Sequence, residues 1–123
     1  MKSFIILGRL PGLNEYTREC RRNPYAGNAM KKETEEVVFW AIRAAKLGPV
    51  RPPVRIAFKW IERNKKRDLD NISAFGHKVI QDALVKAHIL PGDGWACIVG
   101  LSDDFDVDAD NPRIEVTITE VTQ

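Results

Sequence analysis

At 123 residues, 44% hydrophobic and 29% charged, the chain has the length of one domain and the composition of a soluble globular protein. No apolar run approaches the ~20 residues of a membrane span, and Arg9 interrupts the opening strand-like stretch before a secretion signal's apolar core can form. Cys20 and Cys97 are too few for a disulfide framework and lack metal-ligand spacing, so the expectation is a cytoplasmic protein with reduced, packing cysteines.

The net charge of +2 conceals an asymmetry. Residues 1–67 carry 16 Lys and Arg against 6 Asp and Glu, a balance of +10. Residues 68–123 carry 3 against 11, a balance of −8. A basic half suits a polyanionic partner. An acidic half beside that partner suits bound cations.

In chain order, residues 2–7 read as a strand ended by Gly8 and Pro11-Gly12. Residues 13–28 read as irregular and basic, with Asn23-Pro24 as a breaker. A helix is expected over 29–46, its apolar face made of Val37, Val38, Trp40, Ala41, Ala44 and Ala45. Residues 54–63 alternate as a strand, with Val54, Ile56, Phe58 and Trp60 on one side and Arg55, Lys59 and Arg63 on the other. A second helix is expected over 71–87, burying Ile72, Phe75, Gly76, Val79 and Ala83. Residues 95–101 suggest a short strand, 103–110 an acidic loop, and 113–121 a final strand. The expected fold is α+β, a single domain over 1–123 with a mixed β-sheet packed against two helices.

The chemistry concentrates in Asn64-Lys65-Lys66-Arg67-Asp68-Leu69-Asp70-Asn71. Three cations run into two carboxylates spaced i, i+2, which lie on one side if the backbone there is extended. Two close carboxylates repel unless a cation sits between them. Mg²⁺ suits such a pair, because it takes one or two carboxylates, keeps several waters and accepts phosphate oxygens. Asp70 can equally serve as a helix N-cap. Asp93, in Pro91-Gly92-Asp93-Gly94, is a candidate third carboxylate and also ordinary turn chemistry. Asn71, Lys78 and Asp82 share one helical stripe, where Lys78 and Asp82 make either a surface pair or a phosphoryl contact. The run Asp104 to Asp110 fails as a calcium loop, since Ala109 stands where Gly is required and the flanks read as strands. His77 and His88 have no third ligand at a recognisable spacing and read as structural.

These residues resemble the RusA family of Holliday junction resolvases. The resemblance is carried by Arg67-Asp68-Leu69-Asp70-Asn71, by Lys78 and Asp82-Ala83-Leu84, by Asp93 and Trp95, by Leu10-Pro11-Gly12-Leu13-Asn14, and by Pro112 to Val116. It implies a magnesium-dependent endonuclease, bacterial or phage-derived, acting as a homodimer on branched DNA. It assigns Asp68, Asp70 and Asp93 to the metal and catalysis. Aligned back from Asp82, the family's helix lysine falls on Lys78, with Ile72 to Phe75 as an insertion of roughly one helical turn. Arg63, Lys65, Lys66 and Arg67 would then position the DNA backbone, with Asn14, Arg18, Arg21, Arg22, Lys31 and Lys32 as further contacts.

Overall fold

Alternation drives the sheet, and the computed structural model, which describes residues 1–122, bears this out strand by strand. In β1 (Lys2–Leu7) Phe4 and Ile6 are buried; in β4 (Arg113–Glu120) Ile114, Val116 and Ile118 are. In β2 (Val54–Glu62) Val54, Ile56, Phe58 and Trp60 point inward while Arg55 and Lys59 point out. The sheet order is β1-β4-β2-β3, with β3 spanning Ile98–Val107. β4 lies antiparallel to both β1 and β2, whereas β2 and β3 run parallel. The mixed sheet and the α+β class are as expected.

Parallel neighbours need a crossover, and the helix of Leu69–Lys86, here α3, supplies it. Ile72, Phe75, Val79, Ile80, Ala83 and Leu84 form its buried face. Gly76 is required where α3 crosses the sheet, because a Cβ there would come within 2.6 Å of the Trp60 ring.

Two expectations are corrected. There are three helices, not two: α1 (Leu13–Arg22) and the first residues of α2 (Pro24–Ala44) occupy the stretch read as irregular, and the rest of α2 is the helix expected over 29–46. Asn23-Pro24 does break the chain, ending α1 at Arg22, but it also starts a second helix at once. The Asn23 side chain accepts from the backbone N–H groups of Tyr25 and Ala26 at 3.0 and 2.9 Å, and Pro24 takes the first helical position. α1 buries none of its residues and docks through Tyr16, stacked on Phe75 at 4.3 Å. The buried stripe of α2 is Thr34, Glu35, Val38 and Ile42, so Val37 and Trp40 are exposed, contrary to the expected face.

The acidic loop is the second correction. Residues 103–107 belong to β3, and in register with β2 they put Asp103 opposite Phe58 and Phe105 opposite Trp60, on the helix side. Among the described residues no helix is long and apolar enough to cross a membrane.

Candidate active site

The crossover brings the ends of β2 and β3 and the start of α3 together. A groove of about 570 Å³ opens there, lined by Asp68, Ile72, Lys65 and the β3 residues Asp103, Asp104 and Asp106, among others. Its floor is a buried ion pair. Arg67 donates from Nε and Nη2 to the two carboxylate oxygens of Glu62 at 2.9 and 2.8 Å, and from Nη1 to the carbonyl of Leu10 at 3.2 Å. Arg67 is therefore turned inward, its side chain only 12% exposed, and is corrected from a DNA contact to a clamp. It closes the loop that carries the exposed Arg63, Lys65 and Lys66.

Asp68 is the N-cap residue of α3 but makes no side-chain capping bond, and Asp70 sits in the first helical turn. The N-cap alternative for Asp70 is thus set aside. So is the extended backbone that would have put Asp68 and Asp70 on one side, because the helix begins at Leu69. Both carboxylates are exposed, and among the described residues neither takes part in an ion pair. Asn71 turns back to α1, accepting from the backbone N–H of Asn14 at 2.8 Å.

Lys78 stands eight residues beyond Asp70, about 12 Å along the axis. Its ammonium lies 3.2 Å from Asp82 and 3.3 Å from Asp93, so it pins the Gly92-Asp93-Gly94 turn to α3. Asp82, and to a lesser degree Asp93, raise the Lys78 pKa through hydrogen bonds and charge. Asp82 is shared: Lys31 reaches it at 3.1 Å from α2, so Lys31 ties two helices together rather than standing free for DNA. Burial alone pushes the Asp82 carboxyl up, but the hydrogen bonds from Lys31 and Lys78 override it and hold it below the ordinary carboxylate value.

A depressed folded-state pKa contributes stability that is present above the unfolded value and lost as pH falls through the folded one. Asp82→Asn is therefore expected to lower stability by about 1 kcal/mol at pH 7 and to flatten the acid limb below about pH 5. Thermal melts across that range check it; an unchanged acid limb contradicts it.

Asp103 belongs to this region although nothing in the motif marks it. Its Oδ1 accepts the indole N–H of Trp60 at 2.7 Å and meets His77 Nε2 at the same distance, joining β2, β3 and α3. Register was the signal that could have found it, since a strand continued to Val107 turns Asp103 inward. His77 is the α3 member of this junction.

The donor set has the chemistry for a hard divalent cation: exposed carboxylates, of which Asp68 and Asp70 are free of ion pairs among the described residues. It is not assembled as a cluster. Among the described residues no three His, Cys, Asp or Glu side chains converge as a metal site, and the Asp93 carboxylate is held by Lys78. The expected meeting of Asp68, Asp70 and Asp93 is thus absent from this conformation. Arg18, Arg21, Arg22 and Lys32 are exposed on α1 and α2, and the Asn14 side chain is exposed at the start of α1.

No curated protein matches the chain. A family model described as Endodeoxyribonuclease RusA matches residues 15–119, a span from α1 into β4 that contains every carboxylate discussed above. The chain therefore belongs to the RusA endodeoxyribonuclease family, and is an endonuclease of the kind that resolves Holliday junctions.

Proposed function

We propose that this protein cuts four-way DNA junctions by paired, symmetric nicks in a Mg²⁺-dependent hydrolysis, with Asp68, Asp70 and Asp93 as the metal-holding and catalytic carboxylates. The observation that supports this most is the pairing of family membership with two exposed, unpaired carboxylates at the start of α3. Mg²⁺ takes only one or two protein carboxylates and keeps its waters, so Asp68 and Asp70 suffice to recruit it, and Asp93 joins them once it leaves the Lys78 ammonium that holds it in this structure. When bound, the ion would supply an acidified water and neutralise charge on the scissile phosphate.

The chain's own residues do the rest. Lys65, Lys66 and Arg63 offer charge to the DNA backbone beside Asp68, with Arg18, Arg21, Arg22 and Lys32 extending the basic surface and Asn14 adjoining it. Such contacts fix register without reading sequence. Lys78, whose charge is neutralised on Asp82 and Asp93 in this structure, can deliver that charge to a phosphoryl oxygen as negative charge builds. The positive end of α3, about 12 Å from Lys78, favours an anion beside Asp68 and the Lys65-Lys66 loop.

A junction has approximate two-fold symmetry, so we assign the active form to a C2 homodimer. The two sheet edges differ. β3 carries Asp104 and Asp106, and charge of that kind discourages pairing. β1 is an apolar edge with Ile5 and Leu7 exposed, flanked by a groove of about 660 Å³ against Val37, Ala41 and Ala44. A second copy pairing along β1 fits that groove; sedimentation as a monomer at working concentrations removes this part of the reading. Action in the cytoplasm goes with it.

A synthetic four-way junction tests the proposal. Mg²⁺-dependent nicks at symmetric positions, with binding that weakens steeply as salt rises, are expected. Equal cutting of linear duplex, or binding with no cutting, overturns it.

A further inference from the structure

We infer that Trp95 is a base-stacking residue, which recognises branched DNA by packing its indole on a nucleobase face left open at the branch. Trp95 is 93% exposed, more than any other large hydrophobic residue among those described. That exposure is built rather than accidental. The turn that carries it is closed by Cys97 N and Ile98 N, which donate to the carbonyl of Gly94 at 2.9 and 3.0 Å. Beyond the turn, the carbonyl of Cys97 accepts from Val54 N at 2.8 Å, fixing it to the start of β2. Before it, Asp93 is held by Lys78 at 3.3 Å. The indole therefore stands on a segment pinned at both ends, with Gly94 and Ala96 leaving it unshielded.

Its position decides the ligand. Two peptide units separate Trp95 from Asp93, so their Cα atoms are at most about 7.6 Å apart. A DNA strand whose phosphate reaches Lys78, beside Asp93, has its bases within reach of the indole. In continuous duplex, base faces are covered by their neighbours. An aromatic ring can stack only where a face is open, at a branch, gap or end. Every base has a π-face, so such a contact tolerates any sequence. A tryptophan held out beside a phosphodiester-cutting site is thus a reader of DNA shape.

This inference rests on the nuclease reading of the site, and the experiment separates the two. The parent is the full-length chain carrying Asp70→Asn, so that bound DNA stays intact. The probes are a four-way junction, a gapped duplex and a linear duplex, the first two with 2-aminopurine at the branch or gap. Trp95→Ala is expected to weaken junction binding about tenfold, within the range for one stacked base, leave linear-duplex binding unchanged, and abolish the 2-aminopurine quench. Trp95→Phe is expected to restore most of both. Because the side chain is exposed, thermal stability should not change. Trp95→Ala binding and quenching as the parent does overturns the inference, as does equal loss on all DNA. A Trp95→Ala chain that sediments as a monomer where the parent is a dimer overturns it in favour of a protein contact. A parent with no junction preference defeats the resolvase reading alone: a gapped-duplex quench that depends on Trp95 still upholds stacking, and its absence defeats stacking too.

Discussion

Asp70→Asn is expected to lower junction cleavage at least a thousandfold, about 4 kcal/mol of transition-state stabilisation, while junction affinity changes less than twofold. The substitution keeps the shape of the side chain and removes its charge. A neutral amide oxygen is a poor substitute for a carboxylate on a hard divalent ion. The fold should not notice. Asp70 is exposed in the first turn of α3, where losing its attraction to the helix N-terminus costs about 0.5 kcal/mol and relief of repulsion from Asp68 offsets part of that. Single-turnover cleavage and binding in parallel measure the split. Cleavage within tenfold of the native chain contradicts the role given to this carboxylate.

Arg67→Ala is expected to produce the largest loss of stability, about 3 kcal/mol, because it leaves the Glu62 carboxylate buried and unpaired. Glu62 is 6% exposed, and Arg67 is its bidentate partner. For a chain of this size such a loss lowers the melting midpoint by roughly 10 °C. The double variant Glu62→Met, Arg67→Leu should recover most of it, since replacing both ions leaves no orphan charge. The single variant should also cut poorly, because Arg67 closes the loop that delivers Asp68. A melting point within 2 °C of the native chain contradicts the clamp.

The strands and α3 were legible because burial on one face writes its period into the sequence. Phe4 and Ile6, Val54 to Trp60, and Ile114 to Ile118 alternate without interruption, and Ile72 to Ala83 repeat at helical spacing. α1 was not legible because it buries nothing: it is a polar, arginine-rich helix held by the Tyr16–Phe75 stack, by Asn71, by the Arg67–Glu15 ion pair and by packing of Cys20 on Gly27 of α2. Its neighbour α2 was read five residues late for a related reason, since Asn and Pro signal turns and helix starts alike and only the capping bonds decide between them.

The acidic part of β3 hid behind its charge. Asp104 and Asp106 face away from the helices on an edge strand, where charge is tolerated, and inward-facing Asp103 is satisfied by Trp60 and His77. At the site, the motif gave the residue types but not their arrangement. Helix onset at Leu69 replaces the extended spacing expected for Asp68 and Asp70, and the Lys78 ammonium holds Asp93 where a metal ion was expected. Arg67 looked like part of a cationic ledge because nothing in the sequence marks Glu62, five residues earlier, as buried.

The most direct test is a crystal of the full-length chain soaked in Mn²⁺, with the ion located by its anomalous scattering. The expected peak is coordinated by an oxygen of Asp70 together with one from Asp68 or Asp93. Crystals with no peak there, or with manganese only on the β3 carboxylates Asp103, Asp104 and Asp106, contradict it.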